Sequence, residues 1–306
     1  MTLHCLQHLP PEWLGEALER FERQFSYPLG SGQRFRIAHG RDYLPFFQAM
    51  GTASVLVVER AGEVMGTLAR VERLASLPGH GTAPKLVHYL CDLKVADGAR
   101  GSRVLPLLMR ETRRQIEASG SLSCYAVVMG GTGRLPTDYT GRIGIPQFEK
   151  LGDILVLRVA AGTSEPQTLN SGDFPRMDNS IRITGGQHAL RSLMMPILLQ
   201  EGDASAVLED TRRGKCLWID GAGELLSAHL ARLQFRTIPA AATLLTRAAI
   251  EAQRAGFPAF FTALPRSAWK ELQPALHALT VQESEASIFG HDLPSNCDWW
   301  IDTTEI

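Results

Sequence analysis

The residues best suited to chemistry lie within 91–128. The sequence there runs Cys91-Asp92-Leu93-Lys94-Val95, then Arg100-Gly101-Ser102-Arg103, then Val104-Leu105 at the head of a long amphipathic segment. A helix start presents unpaired N–H groups and the positive end of the helix dipole. A turn of small residues ahead of it lets an anion approach. Gly101 and Ser102 supply the room, and Arg100 and Arg103 add guanidinium groups suited to phosphate oxygens. The chain has neither the Gly-rich Lys-Ser/Thr loop of nucleotide hydrolases nor a dinucleotide fingerprint, so those two chemistries are set aside. A surface turn without a ligand is the plain alternative. On the preceding strand, Asp92 and His88 alternate onto one face, and Cys91 and Tyr89 onto the other. Asp92 is the first candidate for taking a proton, directly or through water, and His88 the second. A strand-end carboxylate paired with an arginine and a satisfied interior histidine are the ordinary alternatives. Cys91 and His88, on opposite faces, cannot form a nucleophilic pair.

The elements that position these residues follow from periodicity. Apolar Trp13, Leu14, Leu18 and Phe21 predict a helix over 11–25. A short strand over 34–39 and a short helix over 41–50 follow. Residues 55–58 and 64–71 read as a hairpin about Ala61-Gly62-Glu63, and 86–95 as the next strand. After Gly101, Val104, Leu107, Leu108 and Ile116 share a helix face, Pro106 sits in the first turn, and Gly120 ends the helix. A strand over 124–129, a loop over 130–144, a helix over 146–151 and a strand over 154–159 complete this half. A polar linker is expected within 161–186, with helices over 188–199 and 204–209 beyond it. Strands at 215–219 and 225–235, a helix at 240–253, a strand at 259–264, a helix at 268–279 and strands at 286–289 and 298–302 follow. Of Trp299 and Trp300, one ring is expected inside and one near the surface. The Ala-Gly-Glu turn recurs at 222–224, and the order of elements around it suggests duplication.

A chain of 306 residues favours two domains, placed at 1–163 and 164–306. With 44% hydrophobic and 21% charged residues it reads as a soluble globular protein. A formal charge of -1 argues against a nucleic-acid footprint. Five scattered cysteines suit reduced thiols and a cytoplasmic location. No signal peptide and no membrane span is expected. His4, Cys5 and His8 lack a second ligand pair, so no metal site is expected.

The order hairpin, strand ending in Leu93-Lys94-Val95, Arg100-Gly101 turn, amphipathic helix, strand, and Phe148-Glu149-Lys150-Leu151-Gly152 resembles the GNAT superfamily of N-acetyltransferases over residues 35–160, and more weakly over the second half. The resemblance implies an α/β fold of the α+β type, with two mixed, mostly antiparallel sheets flanked by helices. It implies that the backbone of Leu93, Lys94 and Val95, and the turn Arg100, Gly101, Ser102, Arg103, Val104 and Leu105, hold acetyl-CoA as co-substrate. It also implies a backbone N–H near Leu93–Val95 for the thioester carbonyl. Arg103 and Leu105 stand where the family carries small residues, and Phe148 where many members carry a tyrosine that protonates the leaving thiolate. Tyr139 is the substitute candidate. The reading is acyl transfer to an amine of an unidentified small-molecule acceptor, with a degenerate second half, in a monomer with an internal pseudo-dimer or in a homodimer. The other reading is a non-catalytic CoA-sensing or interaction protein of the same fold.

Overall fold

The computed structural model describes residues 1–30, 33–79, 83–133, 135–140, 146–162, 179–184 and 196–306. The chain begins with strand β1 (Thr2–Leu6), helix α1 (Glu12–Glu22), strands β2 (Tyr27–Gly30) and β3 (Gln33–Ala38) and helix α2 (Leu44–Gln48). The hairpin β4 (Thr52–Arg60) and β5 (Glu63–Ser76) leads to β6 (Lys85–Val95), α3 (Val104–Ser119), β7 (Cys124–Met129) and β8 (Glu149–Ala160). After β9 (Ser180–Thr184) come β10 (Ile197–Glu201), β11 (Ala204–Glu209), β12 (Cys216–Ile219), β13 (Gly223–Glu224) and β14 (Ala228–Gln234). Helix α4 (Ile238–Arg254), β15 (Ala259–Pro265), α5 (Arg266–Leu272), β16 (Val281–His291) and β17 (Asp298–Trp300) close the chain.

Local sequence explains the elements that frame the cleft described below. The β4–β5 turn puts Ala61 and Gly62 at φ 54 and 83, the left-handed pair of a two-residue hairpin. Helix α3 stops at Gly120, which takes φ 80. Its first turn rests on Gly66 of β5. A Cβ added there would stand 2.6 Å from Val104 Cγ1 and 2.9 Å from the Lys94 carbonyl oxygen. The absent side chain is what lets the helix N-terminus approach the sheet so closely.

Thirteen strands form one sheet with the main order β1-β4-β5-β6-β7-β16-β8-β15-β14-β11-β10; β17 and β9 attach beside it. The middle of that order reads as a mirrored pair. β16 matches β8, β7 matches β15, β6 matches β14, β5 matches β11 and β4 matches β10. β6–β7 and β14–β15 are both parallel, and the central β16–β8 pair is antiparallel. A two-fold axis normal to the sheet therefore relates the two runs. Each run's last strand crosses to the other side. β16, from the end of the chain, pairs with β7, and β8 pairs with β15. The cores record the exchange. Ile288 and Phe289 of β16 pack with the apolar residues of the first run, and Leu157 and Val159 of β8 with those under α4 and α5. A separate four-stranded sheet, β13-β12-β3-β2, joins strands from both runs.

Several expectations need correction. Residues 149–151 are strand, not helix, because β16 offers them a pairing partner from far along the chain. Residues 204–209 are β11, and 197–199 belong to β10 rather than to a helix. The remainder of the expected 188–199 helix lies mostly outside the described residues. The linker sought within 161–186 also falls largely outside them, and its described piece, β9, pairs with Leu74–Ser76 of β5. The N-terminus is strand β1 on the edge of β4. Trp299 and Trp300 are both buried. The two Ala-Gly-Glu turns are not equivalent: the first joins β4 to β5, and the second joins β12 to β13 in the small sheet. The counterpart of the first hairpin is β10–β11.

Candidate functional site

β6 and β7 pair at two positions only, His88 with Cys124 and Tyr89 with Tyr125. Beyond them the strands part. Leu90–Val95 stays with β5 while 126–129 stays with β16, which leaves a V-shaped cleft whose narrow end is Tyr89 and Tyr125. On the β6 side the ladder contains a bulge. β5 advances from Thr67 to Ala69 while β6 advances from Lys94 back to Cys91, and the extra residue region includes Asp92 at φ 54. This bulge breaks the strict alternation expected from sequence. His88 faces α3, where its Nε2 meets Ser119 Oγ at 2.8 Å, whereas Asp92 faces α2, where it accepts a hydrogen bond from the Tyr43 hydroxyl. The two candidates therefore do not share a face.

The wide end of the cleft meets the turn before α3. Arg100 pairs with Asp97 at 2.7 Å with both side chains largely exposed, and Gly101 adopts φ 78 with open space around it. Ser102 Oγ accepts from the Val104 N–H at 3.2 Å. Arg103 is exposed, Val104 is buried against Gly66, and Leu105 is half-buried. The turn thus presents a helix start and two cationic side chains to solvent at the mouth of the cleft.

Asp92 belongs to a buried ionic network drawn from β6, α1 and the connection between β3 and α2. Lys94 bonds Asp92 on one side and Glu22 of α1 at 3.0 Å on the other. Glu22 also accepts from the His39 backbone N–H at 2.8 Å and meets His39 Nδ1 at 2.7 Å. Burial pushes the Glu22 carboxyl up, but His39 and Lys94 outweigh it and hold the group down at about 2. Burial opposes the Lys94 charge, yet Asp92 and Glu22 hold its pKa above the ordinary value. Burial raises the Tyr43 hydroxyl well above its usual range. Ligand atoms of Glu22, His39 and Asp92 lie within 4.8 Å of one another, a spacing that could hold a metal. The Lys94 ammonium bonds both carboxylates, so the cation at this cluster is the protein's own. Glu22, His39 and Tyr43 escaped the sequence reading. One signal was available: Glu22 sits four residues after Leu18, on the apolar face of α1, where an ionised side chain needs a partner.

The other candidates fall as follows. His88 is fully buried, and burial with the Arg70 guanidinium lowers its pKa to about 4. Arg70 Nη1 can only donate to His88 Nδ1, so the neutral ring carries its proton on Nε2, toward Ser119. Cys91 lies on the cleft strand, with burial raising its thiol well above the usual range. Tyr139 is half-buried in the loop after β7. Phe148 is buried just ahead of β8. Strand begins directly after it at Glu149, so the short helix expected over 146–151 is not formed.

The second run repeats the cleft and fills it. β14 and β15 pair only at Ala228–Phe260 and His229–Phe261. β14 carries the same bulge, with Arg232 at φ 56 where β6 has Asp92. There the Arg232 N–H turns out of the ladder and donates to Asp302 Oδ1 at 2.8 Å. Eight residues (96–103) lead into α3, but three (235–237) lead into α4. Just ahead of α4, Asp203 Oδ1 accepts from the N–H groups of Arg236 and Thr237 at 3.2 Å each. Arg182 Nη1 donates to the Leu233 carbonyl at 3.3 Å and stacks on Trp300, blocking the β14 edge. In the first run the corresponding hairpin turn directs Glu59 back onto the Gly62 N–H at 2.5 Å.

No family model and no curated protein sequence matches the chain. Solved structures do. The chain has the tandem GNAT fold of N-myristoyltransferase, at an identity that shows the fold alone. Two structures of the Saccharomyces cerevisiae enzyme with bound myristoyl-CoA align over 97% of this chain. One covers 80% of that enzyme at 8% identity and TM-score 0.62, and the other 84% at 10% identity and TM-score 0.59. Eis1 from Mycobacterium abscessus aligns over 94% of this chain and 73% of its own, at 11% identity and TM-score 0.50. The mixed, mostly antiparallel α/β architecture expected from the sequence is the one observed, with the sheets of the two runs merged into one.

Proposed function

We propose that the protein is an acyl-CoA-dependent acyltransferase that moves an acyl group, acetyl in the simplest case, from CoA to an amine of a small acceptor at the first cleft. One observation carries this reading. The second cleft sets its own carboxylate oxygens at two places, Asp203 at the connection leading into α4 and Asp302 at the bulge N–H. The first cleft has the same bulge and a longer, cationic turn at the corresponding places. A ligand with an anionic group at one end and a polarised carbonyl oxygen some residues inward suits both. An acyl-CoA thioester is such a ligand.

The pyrophosphate would lie on the turn from Arg100 to Leu105, and the pantetheine arm would run along the free edge of β6. The Asp92 N–H, placed as the Arg232 N–H is, would donate to the thioester carbonyl and stabilise the oxyanion as the amine attacks. The Asp92 carboxylate, oriented by its contacts with Lys94 and Tyr43, would take the ammonium proton. The proton would pass to the leaving thiolate from Tyr139 or from water at the mouth. A binding protein without turnover is favoured by one feature: Tyr43 and Lys94 already engage both Asp92 oxygens.

Calorimetric titration with acetyl-CoA and with free CoA tests the reading. Micromolar binding is expected for the native chain, falling at least tenfold in Arg100→Glu, Gly101→Glu. Release of free thiol with an amine panel then separates transferase from binder, with Asp92→Asn expected to slow turnover about 10²-fold or more. A folded protein that ignores millimolar CoA would refute the proposal.

A further inference from the structure

The face of the sheet beneath α3 changes character partway along the helix. Under the first turns lie Val58 with Gly66 and Leu56 with Leu68, paired across β4 and β5. Under the second half the same face carries Ser54 with Arg70, and then Glu72 opposite His88 of β6. Ser54, Arg70 and His88 are buried. Helix and sheet leave an open cavity there of about 330 Å³, with Cys5 and Gln7 on the β1 side, Arg70 and Glu72 on the sheet, and Arg114 and Gln115 on α3. That volume sits at the small end of the range of ligand pockets, about 300–1,000 Å³. A cavity with such walls holds water or a polar ligand.

The cavity's polar groups are held in place by one another, and two are left over. Gln115 Oε1 accepts from Ser54 Oγ at 2.8 Å and from Arg70 Nε at 3.0 Å, while its Nε2 donates to Glu111 at 3.0 Å. Arg70 Nη1 donates to Glu72 Oε1 at 2.9 Å and to His88 Nδ1 at 3.1 Å. Arg70 Nη2 and Glu72 Oε2 have no partner among the described residues, and neither is sealed from the cavity. A free guanidinium edge and a free carboxylate oxygen therefore stand side by side on one strand face. We infer that this cavity binds a free α-amino acid, its carboxylate on Arg70 and its ammonium on Glu72. An anion alone would meet Glu72 and Glu111, and a cation alone would meet Arg70 and Arg114. The two open groups belong to one ion pair, so the ligand's charges must also be adjacent, as they are in an α-amino acid and are not in an ω-amino acid. A guanidinium held by its neighbours loses little freedom when it takes a carboxylate, which is why a buried arginine suits the role. Gln7 and Arg114, on opposite walls, are left to meet the ligand's side chain. The site lies about 16 Å along α3 from the turn at 100–105, so it is separate from the first cleft and does not rest on the acyl-CoA reading.

The experiment is calorimetric titration of the full chain with glycine, alanine and glutamine, beside 4-aminobutanoate, acetate and methylamine. At least one α-amino acid is expected to bind with a millimolar or tighter dissociation constant, and the three controls at least tenfold more weakly. Cys5 lines the cavity and is exposed. The bound amino acid should therefore slow its reaction with N-ethylmaleimide at least threefold, read at that residue by mass spectrometry, and leave Cys216 of the small sheet unchanged. Glu72→Gln keeps the shape, removes the charge and should weaken binding at least tenfold. A control that binds as tightly as the best α-amino acid would overturn the assignment. Binding that leaves Cys5 as reactive as before, or that a folded Glu72→Gln leaves intact, would overturn it too. No response to any α-amino acid at tens of millimolar would leave the cavity to water and remove the inference. Should Glu72→Gln not fold, as judged by its thermal transition, the protection of Cys5 in the native chain still decides. None of these results depends on whether CoA binds at the first cleft.

Discussion

Lys94 offers the sharpest test of the buried network. Its side chain is 2% exposed, that of Glu22 is 2%, and that of Asp92 is 7%. Replacing Lys94 by Met keeps the length and removes the charge, so two carboxylates face each other with no cation between them. Removing one partner of a buried ion pair costs about 3–5 kcal/mol. A second route gives a similar figure. Glu22 is held at about 2 against a reference of 4.5, and at about 1.4 kcal/mol per unit that is about 3 kcal/mol favouring its ionised form in the folded state. His39 supplies part of that, and Lys94 also serves Asp92. Urea unfolding at pH 7.5, followed by tryptophan fluorescence and circular dichroism, should show a loss of about 3 kcal/mol. Glu22→Gln with Lys94→Met should recover part of it, because the stranded charge goes with its partner. The pH dependence carries a sign. Glu22 has a lower pKa folded than unfolded, so its contribution is present above about 4.5 and is lost as pH falls through about 2. In Lys94→Met the folded pKa rises and the loss begins at higher pH. A single variant that loses less than about 1 kcal/mol would refute the argument, since it would mean that water rather than Lys94 compensates both carboxylates.

Three further outcomes follow from the geometry. His88, buried and lowered from 6.5 to about 4, binds its proton more readily unfolded, so its contribution is complete above 6.5 and is lost as pH falls toward 4. The difference is worth about 3 kcal/mol, and His88→Gln should flatten the denaturation profile across that window. Gly66→Ala should destabilise by about 1–3 kcal/mol, because its Cβ meets Val104 and the Lys94 carbonyl, and thermal melting measures it. Asp203→Ala should cost about 1 kcal/mol by releasing the N–H groups of Arg236 and Thr237 ahead of α4, read as a lowered urea midpoint.

What was legible in the sequence was what short-range pattern controls. The β4–β5 hairpin, the α3 amphipathic face with Gly120 behind it, and the strand–turn–helix holding Asp92 to Leu105 all lie in continuous stretches. Their periodicity survives folding because one face is buried throughout. What failed was decided by distant partners. Residues 149–151 resembled a helix start, but β16, more than a hundred residues on, made them a strand. The bulge at Asp92 has no local signature, since an Asp at φ 54 is imposed by the β5 register, so the face assignment of His88 and Asp92 could not be read. The network of Glu22, His39 and Tyr43 joins residues from separate elements that only the fold brings together.

The two clefts explain why a duplicated architecture would keep one site. Both need the same bulge and the same parting of parallel strands, and both expose backbone groups that a folded protein must satisfy. The second run satisfies them internally. Asp302 takes the bulge N–H, Asp203 takes the connection leading into α4, Arg182 takes a β14 carbonyl, and Trp300 covers the edge. Each of these partners comes from a short connection or from a strand packed beside the sheet, so closing the cleft required only a shorter lead into α4. The first run keeps eight residues before α3, with Gly101 at a left-handed φ and two arginines in solvent. A protein whose stability alone mattered would gain from closing that cleft as it closed the other. Leaving backbone donors for a ligand while burying an ionic network beside them costs stability, and the acyl-CoA reading gives that cost a purpose.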